Sequence, residues 1–139
     1  MRGSARLVVL GAGTNFLVSV ALVSAVFTVG AIAQNGITAL LAYAFYLLVD
    51  VVMVGPFALV TGAMVVWWLA ARASEFGSVT RLAMEGAIGG GLLGATYPLL
   101  APLLKISVNW QLLVMGIGCG MGSGTIVAMI LKKRIMKAA

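Results

Sequence analysis

The chain has 139 residues, of which 63% are hydrophobic and only 9% are charged. Soluble domains have about 45–50% apolar and about 25% charged residues, so this composition excludes an ordinary soluble fold and predicts a protein embedded in lipid. The net charge of +6 would suit nucleic acid on a soluble protein, but here most basic residues lie near the chain ends. Six of the nine are within eight residues of a terminus: Arg2, Arg6, Lys132, Lys133, Arg134 and Lys137. Basic residues beside apolar segments are typical of an anionic cytoplasmic leaflet, so we expect membrane lipid and not nucleic acid as their partner.

Two features of the composition limit the chemistry that the chain can perform. Histidine is absent and Cys119 is the single cysteine. Conventional catalytic triads, histidine-ligated zinc or haem sites and an intrachain disulfide are therefore excluded. We expect no metal site, no cofactor and no enzyme activity, because scattered carboxylates without histidine form no recognisable catalytic cluster.

The first apolar run, residues 7–33, is long enough to cross about 30 Å of hydrocarbon as a helix. Arg2 and Arg6 precede it, and small residues at 31–33 resemble a signal-peptide cleavage site. A signal peptide has an apolar core of roughly 7–15 residues, however, and this run is much longer. We therefore predict a retained first membrane helix.

The second apolar run, residues 37–71, is too long for one untilted crossing. Tyr46 and Trp67 are residue types that favour the two membrane interfaces, and 21 residues of helix between them would cover roughly 31 Å. This spacing predicts a span over residues 44–71. A break at Gly55 and Pro56 into two half-helices, one of them re-entrant, is the alternative.

Two more spans follow, over residues 82–104 and 110–131. A mixed-charge connector at 72–81 precedes the third span, and Trp110 begins the fourth. Four spans place both termini on one side, and the basic ends with Arg72 and Arg81 indicate the cytoplasmic side, whereas the opposite connectors hold only Lys105. We therefore predict an all-α polytopic protein of the cell inner (plasma) membrane, with one four-span domain covering residues 1–139 and both termini cytoplasmic.

Asp50 is the most costly residue of the predicted spans, since a carboxylate at the centre of a span costs about 2.5–3.5 kcal/mol. We place it near the outer boundary, where it either binds a proton or cation in a cavity or reaches water and pairs with Lys105. Pro56 cannot donate to the carbonyl of Val52, so it predicts a kink near this acid. A kink beside an acidic group can build a transport site, although a single proline in a membrane helix is often structural.

Glu85 and Asn15 are the other candidates for a polar cavity. Glu85 lies four residues after Arg81, which predicts an intrahelical ion pair at the cytoplasmic end. The alternative places Glu85 inward, beside Asn15 or Thr14 of the first span. Asn15 and Ser19 are one turn apart and are suited to hydrogen bonds that stabilise helix packing.

Glycine forms the clearest pattern in the third and fourth spans. In the third span, glycine occurs every four residues, at Gly86, Gly90 and Gly94. In the fourth span, glycine occupies every second position and so lies on two nearly opposite helix faces: Gly116, Gly118, Gly120, Gly122 and Gly124. Small residues four apart let helix backbones approach closely, so we expect a glycine zipper between these spans. The second face of the fourth span would then meet another helix or subunit. A phosphate-binding loop is disfavoured because no strand precedes it and no Lys-Thr or Lys-Ser follows. A non-helical pore filter remains an alternative.

Two segments that open odd-numbered spans are similar: residues 6–12 read RLVVLGA and residues 81–87 read RLAMEGA. This similarity predicts two parallel repeats of two helices each. With the overall length, these openings resemble the GtrA-like family of small four-span proteins, which implies movement of lipid-linked sugars across the inner membrane. That family carries asparagine followed by paired arginines at helix ends, where this chain has Trp67, Trp68 and Arg72 or Lys132, Lys133 and Arg134. No functional residue is carried over.

These patterns favour a small non-enzymatic membrane protein of transport type, acting as a homo-oligomer or with other membrane subunits. Its polar cavity is expected to involve Asp50, Pro56, Asn15 and Glu85. An accessory or immunity-type subunit that docks on a partner through glycine-rich faces is the alternative.

Overall fold

The computed structural model describes residues 2–100 and 110–136, and within these ranges every regular element is helical. Five α-helices and three short 3-10 segments follow one another in chain order. They are α1 (Arg2–Asn35), a 3-10 segment (Ile37–Ala42), α2 (Tyr43–Met53), α3 (Gly55–Ala71), a 3-10 segment (Ala73–Glu75), α4 (Val79–Gly94), a 3-10 segment (Tyr97–Leu100) and α5 (Trp110–Met136).

Two of these helices are long and apolar enough to cross a membrane, namely α1 over Ala5–Asn35 and α5. A third span is added if α2 and α3 count as one, although they are bent by 62° at the break between them. For the described residues, the expectation of an all-helical fold with helices long and apolar enough to span a membrane is therefore confirmed. The first and fourth predicted spans lie inside α1 and α5.

The second predicted span consists of two helices. Helix α2 ends at Met53 and α3 begins at Gly55, so the break falls at the Gly55–Pro56 pair. Of the two predicted forms of this segment, one kinked helix or a pair of helices broken at Gly55 and Pro56, the structure has the broken pair. The segment before it, Ile37–Ala42, is a 3-10 helix entered through Gly36, whose φ of 76° lies in the left-handed region.

The third predicted span, residues 82–104, is not one continuous helix. Helix α4 ends at Gly94 after 16 residues, about 24 Å of rise, and a 3-10 segment begins at Tyr97. Pro98 explains the early end, because a helical proline would clash with the carbonyl four residues earlier and its ring disfavours the α conformation of Tyr97. The expected end near 104 and the turn that contains Lys105 lie outside the described residues.

The helices pack as two antiparallel pairs that contact each other through α1 and α5. In the first pair, Gly11 of α1 meets Val66 of α3 and Asn15 meets Gly62. In the second pair, α4 packs on α5 along its glycines. The two similar segments of the sequence, residues 6–12 and 81–87, thus lie near the starts of α1 and α4. Helix α1 packs antiparallel on α3, and α4 packs antiparallel on α5.

The interior has one large and one small apolar cluster. The large cluster lies at the end of the bundle that contains the start of α1 and the end of α5, with Leu7, Leu69, Leu82 and Ile135 all buried. The small cluster consists of Val23, Val54 and Ala58, against which Tyr97 and Cys119 pack. Large apolar side chains cover the outside of the helices, including Val9, Leu17, Leu48 and Leu92. An exposed apolar surface of this extent is typical of a protein surrounded by lipid.

Candidate functional site

The bend between α2 and α3 interrupts the helical hydrogen bonding over one turn. Val54 N still donates to Asp50 O at 2.8 Å, and the ladder resumes where Ala58 N donates to Val54 O at 2.8 Å. Pro56 lies between these bonds and has no backbone donor to offer to the Val52 carbonyl. The bend therefore places Asp50 in the last turn of α2, immediately before the chain changes direction.

Asp50 is buried, with 4% of its surface exposed, and contacts a polar side chain of the first helix. The Ser24 hydroxyl donates a 2.6 Å hydrogen bond to Oδ2 of Asp50. Ser24 lies 11 residues before the end of α1, so the pair sits roughly 16 Å along the axis from that helix end. Asp50 therefore lies inside the bundle and does not reach its surface, while its depth relative to the outer membrane boundary stays a prediction. Lys105, the other expected partner, lies outside the described residues.

Ser24 belongs to a row of polar residues on the buried face of α1. Asn15, Ser19, Ser24 and Thr28 are all less than one tenth exposed, although the helix around them is apolar. Their spacing of four, five and four residues follows the helical period and places them on one face. Sequence reasoning singled out Asn15 and Ser19 and missed Ser24 and Thr28, which the same spacing would have identified.

Asn15 links α1 to the first turns of α3. Its side-chain amide donates a 2.7 Å hydrogen bond to the Ala58 carbonyl and lies 3.4 Å from the Thr61 hydroxyl. Gly62 permits this approach, since a β-carbon there would overlap the Asn15 side chain. Gly55 likewise leaves room for the ring of Phe16. These contacts fix the direction that α3 takes after the bend.

A cavity of about 40 Å³ lies between α1, α3, α4 and α5. Polar groups contribute to its wall from several elements: Asn15, Ser19, Thr61, Tyr97, Cys119 and Ser123. Val23 and Val54 also line it, and both neighbour the Ser24–Asp50 pair, since Val23 precedes Ser24 and Val54 N donates to Asp50 O. The zipper glycines Gly90, Gly94, Gly116 and Gly120 also line it. The structure therefore brings Asn15 and the glycine-rich helices together around one cavity.

The other residues expected in this cavity lie elsewhere in the described part of the chain. Asp50 is one turn beyond the Val54 end of the wall, and Pro56 is on the exposed side of the bend. Glu85 lies near the end of the bundle where the large apolar cluster is found, paired with Arg72 at 3.3 Å. The four residues predicted to share a cavity are thus separated. Residue spacing shows which residues share a face of one helix, but it does not show how a second helix is rotated relative to the first.

The expected ion pair between Arg81 and Glu85 is wrong for the described residues. Glu85 is bridged instead by Arg72, which also contacts Glu75 at 2.9 Å and lies over the Trp68 ring at 5.4 Å. The hydrogen bond from Glu75 raises the pKa of Arg72 above its ordinary value, so the guanidinium stays charged. This cluster joins the end of α3 to the first turns of α4.

The glycine rows of α4 and α5 lie against each other. A β-carbon added to Gly86, Gly90 or Gly94 would overlap the backbone of Gly124, Gly120 or Gly116, and the reverse holds for each partner. The second face of α5 differs, because a β-carbon added to Gly122 would lie 3.4 Å from the Leu22 side chain of α1, whereas one added to Gly118 would meet nothing within 4 Å. All five glycines of this segment are helical, so the extended pore filter and the phosphate loop do not describe it.

No cluster of three metal-ligating side chains occurs within residues 2–100 and 110–136. Cys119 is a free thiol. No protein-family model, curated protein or solved structure matches the chain. The resemblance to the GtrA-like family therefore rests on the two similar openings and the chain length.

Proposed function

We propose that this protein is a small, non-enzymatic membrane protein of transport type, in which Asp50 binds a proton or a monovalent cation within the bilayer. The observation that carries this proposal is the buried hydrogen bond between Ser24 and Asp50, which is the ionisable residue buried between α1 and α2. Ionisable groups inside a membrane are expensive to insert and commonly belong to ion or proton pathways. An apolar residue at position 50 would insert into the bilayer at lower cost, so a functional role accounts for the presence of a carboxylate there.

The position of Asp50 at a helix break supports the same function. Broken helices in transporters expose backbone carbonyls and half-helix ends that bind substrate ions near the bilayer midplane. Here the break follows Asp50 by four residues, and the polar face of α1 runs alongside it. A carboxylate, a hydroxyl partner and a bend thus lie within one turn of each other.

The proposed topology has four membrane-embedded segments, α1, the α2–α3 pair, α4 with the residues after it, and α5, in the plasma membrane. Both termini face the cytoplasm in this arrangement. Its support is the charge distribution, because Arg6, Arg72, Arg81 and the basic end of α5 all belong to the end of the bundle that contains both termini. Trp67 and Trp110 are exposed and suited to the interfaces.

The small cavity supports assembly into an oligomer or with other membrane subunits. A volume of about 40 Å³ holds roughly three or four water molecules, far too little for a sugar or a lipid headgroup. A wider pathway would therefore form between chains, against the apolar helix surfaces that α1 and α5 leave exposed.

Flux measurements in liposomes test this function. Asp50→Asn removes the titratable group and keeps nearly the same shape, so proton or monovalent-cation flux should fall to the level of empty vesicles. Glu75→Gln is the matched control, because it makes the same chemical change at an exposed carboxylate outside the apolar helices. Unchanged flux in Asp50→Asn would exclude Asp50 from the mechanism.

Docking on a partner helix is the second candidate function, favoured by one observation. Gly118 lies on an exposed face of α5 with nothing within 4 Å, and a second helix could approach closely there. Gly118→Leu should then release a co-purifying membrane subunit in mild detergent, while Ala63→Leu on α3 should not. An intact complex in Gly118→Leu would count against docking through this face.

A further inference from the structure

We propose that the cavity between α1, α3, α4 and α5 holds water that delivers protons to Asp50, with Val23 and Val54 as the apolar barrier between them. This inference rests on the proposed function and deepens it by naming the transported species. The residues that it concerns are those that line the cavity, on the other side of Val23 and Val54 from Asp50.

The polar groups in the cavity wall are the first support for bound water. The Asn15 side-chain nitrogen donates to the Ala58 carbonyl and to the Thr61 hydroxyl, and Asn15 lines the cavity together with Ser19. Ser19 makes no hydrogen bond to another of the described residues, and its hydroxyl is not a fully buried atom. A hydroxyl that opens onto a cavity and has no protein partner is suited to bind internal water.

The volume of the cavity limits which ions or molecules it could hold. About 40 Å³ accommodates roughly three or four waters, since each needs about 10–15 Å³ by this measure. A hydrated sodium or potassium ion carries more water than that. A bare ion would need several oxygen ligands and a compensating charge, but the wall contains no carboxylate among the described residues. A proton, passed between waters and hydroxyls, is the species that fits.

Val23 and Val54 separate this water from the acid. Both are 5% exposed and pack against Ala58. Val23 precedes Ser24, which holds the Asp50 carboxylate, and Val54 N donates to Asp50 O. Each valine thus lines the cavity and also neighbours the Ser24–Asp50 pair, which is why we assign the barrier to them; a transient opening between them would admit one more water.

The proton step needs no further reactant. A hydronium ion in the cavity transfers its proton to Asp50, leaving a neutral water and a carboxylic acid that remains in contact with the Ser24 hydroxyl. Release toward the other side restores the carboxylate. The charge of Asp50 is thus neutralised during passage, which lowers the cost of holding it in the bilayer.

Infrared spectroscopy of Cys119 tests the hydration separately from transport. Its thiol lines the cavity and is the single S–H group of the chain, so its stretching band is unambiguous and is removed by Cys119→Ser. After liposomes are transferred to D₂O, we expect the S–H band to convert to S–D within minutes. Ser19→Leu fills the cavity and should slow this conversion severalfold, whereas Leu17→Ala on the exposed face of α1 should not. An S–H band that persists for hours in the wild type would show a dry cavity and overturn the proposal.

Proton flux tests the barrier. Val54→Ala should raise Asp50-dependent flux severalfold, and Val52→Ala, on the exposed face two residues earlier, should leave it unchanged. Val23→Ala probes the same barrier from α1 if the first variant does not fold. Equal flux in Val54→Ala, Val23→Ala and Val52→Ala would exclude the barrier. Rapid thiol exchange without any wild-type flux would leave the hydrated cavity standing while excluding both the proposed function and proton delivery.

Discussion

The Ser24 hydroxyl and the Asp50 carboxylate, 2.6 Å apart, join α1 to α2 inside the bundle. Ser24 is fully buried, and its own carbonyl accepts a hydrogen bond from Thr28 at 2.8 Å. The pair thus connects the long polar face of α1 to the helix that ends at the bend. Its contribution to stability can be measured apart from any transport.

Ser24→Ala should lower the free energy of unfolding. Hydrogen bonds between membrane helices average about 0.6 kcal/mol and reach about 1.7 kcal/mol, and a carboxylate acceptor places this one toward the upper value. Equilibrium unfolding in mixed detergent and denaturing-detergent micelles measures the change. Ser74→Ala, at an exposed serine of the connector, is the control. Equal losses in the two variants would mean that the pair adds nothing to stability.

The glycine zipper predicts that an added methyl group destabilises the protein at the α4–α5 contact but not on the other face of α5. Gly90→Ala introduces a methyl group against the Gly120 backbone, which cannot move aside as a side chain can, so we expect a loss of about 1–3 kcal/mol. Gly118→Ala meets nothing within 4 Å and should be neutral or stabilising by up to about 1 kcal/mol through helix propensity. The same unfolding assay measures both variants. A loss in Gly118→Ala that matched the loss in Gly90→Ala would contradict this assignment of faces.

The contact between the glycine rows could be predicted because it depends on the spacing of glycines within each helix. Residues four apart lie on one face of any helix, so the spacing of Gly86, Gly90 and Gly94 already defines a smooth surface. The match to Gly116, Gly120 and Gly124 needs only that the two helices run antiparallel, which follows from a short connection. The apolar runs predicted α1 and α5 for the same reason, since span length and composition are local properties.

The surroundings of Asp50 and Glu85 could not be predicted in this way. Whether Asp50 meets Ser24 depends on the rotation and axial position of α2 against α1, which the bend at Pro56 sets. Glu85 meets Arg72 because the short 3-10 turn returns α4 beside the end of α3. Both outcomes are determined by tertiary geometry, which the residue spacing on a single helix does not contain.

Double-mutant cycles distinguish the two possible partners of Glu85. The cycle of Arg72→Gln with Glu85→Gln should give a coupling of about 0.2–1 kcal/mol, as expected for a partly exposed ion pair, and this coupling should decrease at high salt. The cycle of Arg81→Gln with Glu85→Gln should give none. Unfolding free energies of the single and double variants provide both values. Coupling in the second cycle but not in the first would restore the intrahelical pair.

Pro56 is predicted to maintain the 62° bend between α2 and α3. Pro56→Ala restores a backbone donor that reaches the Val52 carbonyl only if the helix straightens. A backbone hydrogen bond in an apolar medium is worth about 4–6 kcal/mol, whereas side-chain bonds such as Asn15 to Ala58 average about 0.6 kcal/mol in membranes, so straightening should win. Spin labels on Phe45→Cys and Trp67→Cys, both exposed positions, in a Cys119→Ser background report the distance across the bend by pulsed electron paramagnetic resonance.

In that experiment the label distance should increase in Pro56→Ala, because the ends of a straight segment lie farther apart than those of a bent one. Val60→Ala, an exposed substitution on the same helix, controls for changes in label position. An unchanged distance in Pro56→Ala would mean that tertiary contacts hold the bend, namely Gly55 against Phe16 and Asn15 against Ala58. Straightening should also draw Asp50 away from Ser24, so a variant with an increased distance should no longer lose stability when Ser24→Ala is added to it.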